Sequence, residues 1–512
     1  MSKHHGNGIT RRDWLCLTGA AAVAGCSAPS PVEPIAFPKP TVPGPKRLSD
    51  KPNLIVFLTD SMRARELATY GCEWPTSPVL DDFAAQSIVY ERCEAPCSWT
   101  KPSIGSIFTG VVPSTHQSID NDLGKPLAER QVHALPSRYI TMAESLRSVG
   151  YHTYWSLENP LVQSRLGYGQ GFSPENYDYR WPPDPAGQVA RMSAMLRDGL
   201  PEPFLLFIHM IDPHVPYLPP ESITRELFGD IPEALIEGIA PEQETLIRGF
   251  QDFLVRMRRN PTLYGDEPRP DVEGLMNSEG AQAWRRLYAS SVRNVDGLFG
   301  QFLDTLDETG ILDRSVVIFT SDHGEAFREH DNIMHGHTLY EEETHVPLIV
   351  RPPGGAGGVR VSDPVSLMDL YPTFAAVGGA PAPAYLQGAS LMDGDGSLLN
   401  QAGRMVFSET NRFSTNPGDW RVAAIRGTMK VYLQEGGVRA EAYDLANDPL
   451  ETVNLAEGTV DSEVRRLHDD LRQAHEEHRR LAAAFGPPSV VQFEDIDDDR
   501  EAIQDLESVG YV

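Results

Sequence analysis

Cysteine is scarce in this chain of 512 residues, which contains five. Cys72, Cys93 and Cys97 lie beyond the N-terminal segment, and a single disulfide among them is possible. Their odd number and irregular spacing argue against a disulfide framework and against a zinc–thiolate site. We therefore expect a globular core, rather than cross-links, to stabilise the fold.

Basic residues are also few, since 44 Lys and Arg face 72 Asp and Glu and leave a formal net charge of −28. A field of this sign repels nucleic-acid phosphates at long range, so we expect no nucleic-acid partner. It does not exclude a small anionic substrate, because a metal ion or a helix N-terminus can reverse the potential inside one pocket.

Long apolar runs are missing as well, and the N-terminal run is too short to cross about 30 Å of hydrocarbon. Two arginines, Arg11 and Arg12, precede this run, as in twin-arginine export signals of bacteria. The run ends in Val-Ala-Gly-Cys26, which resembles a lipobox. We expect a signal over 1–26, a lipid on Cys26 and a Pro-rich tether over 27–50. The product would be exported to the periplasm or cell envelope and would contact the membrane through its lipid only. The alternative is an ordinary signal with a chance cysteine.

Apolar runs typical of buried strands alternate with amphipathic helical patterns over residues 51–375. This order predicts an α/β sandwich around a mainly parallel sheet. The Gly/Pro-rich stretch over 376–460, with short strand patterns, predicts a smaller α+β lobe. We read 461–512 as an acidic helical tail with solvated faces, and 223–279 as an insertion over the sheet edge.

Two predicted strands end in residues that can bind metal. Leu54–Leu58 leads to Asp60, and Val316–Thr320 leads to Asp322 and His323. Ligands of open α/β sheets bind beyond the carboxyl ends of the strands, and a carboxylate beside an imidazole suits a divalent ion. A helix N-cap is the alternative for Asp60, and a polar turn is the alternative for the Asp-His pair.

Thr100 precedes Pro102, a residue favoured at the beginning of a helix. A hydroxyl there faces unpaired backbone N–H groups and the positive end of the helix dipole, which stabilise an alkoxide or a bound oxyanion. Thr100 is therefore a candidate nucleophile, and a simple N-cap is the alternative.

Histidines follow in two further segments. The apolar run Phe204–Met210 contains His209, which we interpret as a core histidine, and continues to Asp212 and His214. A later loop carries His335 and His337, which are either site residues or solvated side chains. Imidazoles and a carboxylate in such segments could hold a second cation or bind substrate oxygens.

Taken in order, these segments resemble the sulfatase family of the alkaline phosphatase superfamily over about Lys51 to Leu455. The resemblance implies an alkaline-phosphatase-like sandwich with a smaller C-terminal lobe. It also implies roles for particular residues: Asp60, Asp322 and His323 as ligands of a divalent cation, Thr100 as covalent nucleophile and further ligand, Asp212, His214 and His337 around a second metal or the substrate, and Asn159 near the substrate oxyanion.

The chain departs from the family pattern at the nucleophile. Relatives that cleave sulfate esters usually carry Cys or Ser in a Cys/Ser-x-Pro-x-Arg motif that is converted to formylglycine, whereas this chain has Thr100, Pro102 and Ile104. Threonine cannot become formylglycine, so its ester must be cleaved by water attacking phosphorus or sulfur. Ser61 also replaces a frequent second Asp, and His337 replaces a frequent Lys.

These residues and the resemblance together predict a metal-dependent hydrolase of phosphate, phosphonate or sulfate esters, with phosphoryl substrates favoured. One or two divalent cations (Mn, Zn, Mg or Ca) would serve as cofactors, and a small anionic ester, glycan or phospholipid would be the substrate. Three alternatives stay open: a sulfatase that works without formylglycine, a phospholipid headgroup transferase, and a non-catalytic anion-binding envelope lipoprotein.

Overall fold

The computed structural model describes residues 51–119, 131–180, 182–229, 279–411, 420–434, 440–458 and 460–492. The export signal, Cys26, the tether and the end of the acidic tail lie outside these residues, as does most of the segment read as an insertion. None of the described helices is both long and apolar enough to cross a membrane.

Strands and helices alternate through the larger part of the chain. The strands are β1 (Asn53–Thr59), β2 (Ile88–Glu94), β3 (Gln131–Ala134), β4 (His152–Leu157), β5 (Tyr177–Tyr179), β6 (Phe204–Met210), β7 (Ser315–Ser321), β8 (Ala326–Phe327), β9 (Ile333–Met334), β10 (His345–Arg351), β11 (Val359–Val361), β12 (Val365–Ser366), β13 (Met405–Thr410), β14 (Arg421–Arg426), β15 (Met429–Gln434), β16 (Ala440–Asp444) and β17 (Ser489–Gln492). The α-helices are α1 (Pro78–Ala84), α2 (Thr100–Thr109), α3 (Pro113–His116), α4 (Met142–Ser148), α5 (Pro185–Asp198), α6 (Glu221–Phe228), α7 (Glu279–Glu308), α8 (Glu341–Thr344), α9 (Leu370–Gly378) and α10 (Ser462–Phe485).

A nine-stranded sheet forms the centre of the molecule. Its order is β11-β2-β10-β7-β1-β6-β4-β5, with β12 also paired to β2. The four central strands β7, β1, β6 and β4 are parallel, and β10 is antiparallel to both of its neighbours. The prediction of a mainly parallel sheet is therefore confirmed.

Both faces of this sheet are covered. Along β1, Leu54, Val56 and Leu58 pack in one core, and Ile55 and Phe57 pack in the other. Helices α2, α4 and α9 contribute to the first core, and helices α1, α5 and α7 contribute to the second. Each buried large aliphatic side chain stabilises the fold by about 1.5–3 kcal/mol. The three layers explain why the strand sequences show no apolar–polar alternation.

A second sheet of four antiparallel strands, in the order β13-β14-β15-β16, forms the smaller lobe. Helix α10 begins after Asp461, whose side chain accepts from the Glu463 N–H. The helix buries Leu467 and Leu471 against this sheet. The charged run over 461–484 thus has one packed face besides the solvated face that its composition predicts. Strand β17 then pairs with β3 of the larger part.

The expected boundary between residues 375 and 376 falls inside α9. Phe374 and Val377 on this helix both pack in the core below the large sheet. The three described cysteines are thiols, with Cys93 and Cys97 buried and Cys72 partly exposed. Burial raises the pKa of the Cys93 thiol well above its usual value.

Candidate active site

Two neighbouring parallel strands bring Asp60 and Asp322 together. In the register of β1 and β7, Thr59 lies opposite Ser321, so the residue after each strand reaches the same point at the carboxyl edge. The Asp322 N–H donates to the Thr59 carbonyl over 3.1 Å. Both carboxyl side chains are fully buried. The parallel pairing therefore creates a buried pair of acids from two distant segments.

Ser61 holds the two carboxylates in this arrangement. Its backbone N–H donates to Asp322 Oδ1 and its hydroxyl donates to Asp60 Oδ1, both over 3.1 Å. Ser61 adopts a φ of +66°, in the left-handed region. Such a conformation is uncommon for a residue with a side chain and is tolerated here at a site where it directs an N–H group to a carboxylate.

His323 completes a set of three candidate metal ligands. Its Nε2 lies 3.4 Å from Asp60 Oδ1 and 3.5 Å from Asp322 Oδ2. Its Nδ1 lies 2.8 Å from the Gly324 carbonyl oxygen, which assigns the proton to Nδ1 and leaves the Nε2 lone pair facing the carboxylates. Asp322 Oδ2 is buried and makes no hydrogen bond. Two carboxylates and a neutral imidazole, with one oxygen still unsatisfied, fit a divalent cation.

The electrostatics of the site agree with this donor set. Burial and the charge of Asp60 raise the pKa of Asp322 well above its usual value. Burial alone would raise the pKa of Asp60 too, but the nearby imidazoles, foremost His214, lower it below its usual range. Burial and His335 lower the pKa of His323, which keeps the ring neutral. A bound dication would offset the negative charge of the paired acids.

Thr100 is the first residue of α2, after Trp99 at the N-cap. The hydroxyl oxygen Oγ1 lies 3.3 Å from His323 Nε2 and 3.5 Å from Asp60 Oδ2. The side chain is 2% exposed. Because Thr100 is inside the helix, the alternative of a simple N-cap does not describe it. Its hydroxyl instead joins the three candidate ligands at the positive end of a helix.

The apolar run around His209 predicts a core histidine, and the structure puts this buried ring at the same cluster. Its Nε2 lies 3.5 Å from Asp60 Oδ2 and 3.9 Å from Asp322 Oδ2. The ring is 1% exposed, and neither nitrogen makes a hydrogen bond that meets normal geometry. The pairing of β6 with β1 explains its position, since His209 lies opposite Leu58 near the carboxyl edge.

Asn159 also reaches the cluster, through Asp60. Its Nδ2 donates to Asp60 Oδ2 over 2.7 Å, and its Oδ1 accepts from the Leu161 N–H over 2.9 Å. The nitrogen and the oxygen of the side-chain amide therefore both hydrogen-bond to other groups of the protein. The described contacts make Asn159 a partner of the carboxylate, and its expected role beside a substrate oxyanion stays a prediction.

A second group of rings lies next to the cluster. The His335 ring lies 4.4 Å from the His323 ring and 5.0 Å from the His214 ring, measured between centroids. His335 Nδ1 contacts Glu325 Oε1 over 3.1 Å, and Tyr217 donates to Glu325 Oε2 over 2.8 Å. His335 was one of two loop histidines of undecided role, and the structure makes it a neighbour of the candidate ligand His323.

The two remaining predicted residues are less closely tied to the cluster. Asp212 is oriented toward α7, where Asn294 Nδ2 lies 3.4 Å from its Oδ2, and burial raises its pKa to about 6. His337 is held by its backbone, whose N–H donates to Glu343 Oε2 over 3.0 Å and whose carbonyl accepts from Arg421. Their roles at a second metal or the substrate stay predictions.

Comparison with known proteins decides the family, because the sulfatase family model matches residues 52–380. The chain belongs to the sulfatase family. It is 32% identical to arylsulfatase K of Xenopus laevis over 203 residues, which are 37% of this chain and 36% of that protein. It is 24% identical to the choline-sulfatase of Rhizobium meliloti (strain 1021) over 485 residues, covering 85% of this chain and 88% of that protein.

A solved structure supports the fold. This sulfatase-family chain superposes on the phosphonate monoester hydrolase of Agrobacterium radiobacter with a TM-score of 0.62 and 19% identity, over 84% of this chain and 96% of that protein. The expected alkaline-phosphatase-like sandwich is therefore confirmed. Membership of the family makes the chain an ester hydrolase, and the buried Asp60, Asp322 and His323 form a group that could hold a metal ion.

Proposed function

We propose that this sulfatase-family enzyme cleaves phosphate, phosphonate or sulfate esters through a covalent intermediate on Thr100, and that phosphoryl substrates are favoured. One observation carries the proposal: the Thr100 hydroxyl lies within 3.5 Å of both Asp60 Oδ2 and His323 Nε2. A hydroxyl so close to candidate metal ligands, at a helix N-terminus, is positioned as a nucleophile.

In this proposal the residues of the candidate site have two roles, metal binding and nucleophilic attack. Asp60, Asp322 and His323 would hold a divalent cation (Mn²⁺, Zn²⁺, Mg²⁺ or Ca²⁺), which when bound supplies positive charge that favours an alkoxide and stabilises developing charge on the ester oxygens. Thr100 gives up its hydroxyl proton as Oγ1 forms a bond to phosphorus or sulfur, and the bond from that atom to the alcohol oxygen breaks, so that the alcohol takes up a proton and leaves. Water then attacks the same atom, the bond from that atom to Oγ1 breaks, and a proton from the water restores the Thr100 hydroxyl as the free acid anion is released.

The nucleophile separates the two substrate classes. A threonine ester lacks the second hydroxyl with which a formylglycine hydrate expels sulfate, so every turnover here requires water to attack the central atom. This requirement favours phosphate and phosphonate esters. A sulfatase that works without formylglycine is the second candidate, because arylsulfatase K and choline-sulfatase are the names of the proteins that this chain is similar to.

The test is a substrate panel with nitrophenyl esters of phosphate, a phosphodiester, phenylphosphonate and sulfate. Each is assayed after EDTA treatment and again with each of the four metals. We expect turnover of a phosphoryl ester that EDTA abolishes. Thr100→Ala should reduce kcat by at least about 10³-fold, because it removes the covalent path. Thr109→Ala is the matched control, since Thr109 lies on the same helix and its hydroxyl bonds the Gly105 carbonyl.

Four outcomes would contradict the proposal. Full activity of Thr100→Ala would exclude the nucleophile, and turnover of the sulfate ester alone would favour the second candidate. Transfer of a headgroup to an acceptor lipid without release of free phosphate would identify a transferase. Metal binding without turnover of any ester would favour a non-catalytic anion-binding protein.

We further propose that the enzyme acts outside the cytoplasm as a lipid-anchored protein. The twin arginines at residues 11 and 12 and Cys26 support this proposal, and a glycan or phospholipid ester would be available there. Mass spectrometry of the mature N-terminus tests it: acylated Cys26 is expected, and a different cleavage point without lipid would exclude the anchor.

A further inference from the structure

A second cluster of candidate metal ligands lies in the smaller lobe. Glu409 is on β13, and His475 and His478 are on α10. The Nδ1 atoms of both histidines lie 3.0 Å from the same carboxylate oxygen, Glu409 Oε1. All three side chains are buried, with exposed fractions of 1%, 6% and 7%. The cluster shares no residue with the active site.

The helix geometry presents both rings on one side. His475 and His478 are three positions apart, a spacing that puts side chains on the same face of an α-helix. Phe407, two residues before Glu409 on β13, packs its ring 5.1 Å from the His478 ring. Residues 407 and 409 share a face of the strand, because side chains alternate along it. The two histidines and the glutamate therefore meet through secondary structure rather than through mobile loops.

The carboxylate of Glu409 is held from the larger part of the molecule. Its Oε2 accepts from the Ser114 N–H over 3.0 Å, which leaves Oε1 for the two imidazoles. The Glu409 N–H donates to the Pro96 carbonyl over 2.9 Å. A ligand that is fixed in this way gives an ion a preformed oxygen donor.

A further polar side chain close in sequence is unsatisfied. Asn411 is 2% exposed, and neither its Oδ1 nor its Nδ2 makes a hydrogen bond. It follows Glu409 by two positions, so continued alternation would put it on the face that carries Glu409. A buried amide without partners destabilises a fold. A metal ion, or a water bound to one, would satisfy it.

We propose that Glu409, His475 and His478 bind a divalent transition-metal ion, with Zn²⁺ the best chemical match, and that this ion fastens α10 to the small sheet. Two imidazoles and one carboxylate are a zinc donor set that leaves a fourth position for water or for Asn411. The ion would connect three elements that are distant in sequence: α3 through Ser114, β13 and α10. It would therefore stabilise the lobe rather than take part in ester cleavage.

The experiment counts zinc in the purified full chain. Wild type, His475→Ala/His478→Ala, Asp322→Ala and the triple variant are equilibrated with Zn²⁺, dialysed and analysed by mass spectrometry of the metal. We expect His475→Ala/His478→Ala to hold one equivalent of zinc per chain less than wild type. The triple variant should likewise hold one equivalent less than Asp322→Ala. With Co²⁺ instead, the visible absorption of a four-coordinate ion should persist in Asp322→Ala and disappear in the triple variant.

His468→Ala is the control, because His468 lies on the same helix, is buried and contacts the Glu441 carbonyl through Nε2 at 2.9 Å. It should keep the full zinc content. If the double variant does not fold, Glu409→Gln takes its place and should weaken zinc binding by at least about 100-fold. Equal zinc content in wild type and in the folded variant would overturn the proposal and leave a hydrogen-bonded Glu–His–His cluster only.

Discussion

The Asn159 amide donates to Asp60 Oδ2 over 2.7 Å, and the same oxygen lies 3.5 Å from the Thr100 hydroxyl. Asn159 thus fixes the carboxylate that faces the candidate nucleophile. Partners of this kind orient a metal ligand without touching the ion, and their loss typically lowers metal affinity or activity by about 10–100-fold.

Asn159→Asp tests this relationship with almost no change of shape. The variant replaces a donor by a second carboxylate next to Asp60, so we expect metal affinity and kcat each to fall by about 10–100-fold. Metal titration and steady-state kinetics measure the two effects. Asn176→Asp is the control, since the Asn176 amide bonds the Thr153 carbonyl away from the cluster. Unchanged metal affinity in Asn159→Asp would exclude the positioning role.

Asp60, Asp322 and Thr100 could be predicted from sequence because each lies at the end of a strand or the beginning of a helix, where side chains meet. His209 could not, because it lies within an apolar run and its role depends on which strand neighbours β1. The register that sets His209 opposite Leu58 is a property of the folded sheet. His335 likewise depends on the path of a loop.

For the C-terminal helix α10, charge content predicts only part of what the structure shows. Its many charged residues indicate a solvated helix, and most of its surface is solvated. Val464, Leu467 and Leu471 nevertheless recur at spacings of three and four, the pattern of a packed face. This periodicity is visible in the sequence. Charge content alone does not reveal it. The contact of His475 with Glu409 cannot be predicted in this way, because it depends on the tertiary fold.

His209→Ala should weaken metal binding, because the ring lies within 4 Å of both Asp60 and Asp322. We expect at least about a tenfold loss of metal affinity together with loss of stability from the cavity. His468→Ala serves as the control for a buried histidine outside the site. If both variants lose stability but keep wild-type metal affinity, His209 is a packing residue, as its apolar sequence context suggested.

Alkaline pH should remove a stabilising ion pair at the junction of the lobes. Burial alone would lower the pKa of His330, but its Nδ1 lies 2.8 Å from Glu342 Oε1, and this contact raises the pKa to about 9. A folded-state pKa above the ordinary 6.5 stabilises the protein fully below pH 6.5, and this contribution is lost as pH rises through 9.

His330→Asn removes the titrating ring and suits the left-handed φ of +50° at this position. The difference in Tm between wild type and this variant should therefore be larger at pH 6 than at pH 10, as measured by thermal unfolding. Glu342→Gln removes the partner carboxylate and should reduce the same pH-dependent difference. A difference that is constant between the two pH values would contradict the ion pair.

Asp322→Asn should have opposite effects on the metal-free and the metal-loaded protein. Burial and the neighbouring charge of Asp60 raise the pKa of Asp322, so an ionised Asp322 costs stability when no cation is bound. Asparagine can still accept from the N–H groups of Ser61 and His323 while it removes the charge. We expect the Tm of the EDTA-treated variant to equal or exceed that of EDTA-treated wild type. In the His475→Ala/His478→Ala background, which removes the second proposed site, added metal at 100 times its Kd should stabilise the protein that keeps Asp322 by about 2.7 kcal/mol and leave the protein with Asp322→Asn nearly unchanged. An equal gain in both proteins would mean that the cation binds elsewhere than between Asp60 and Asp322.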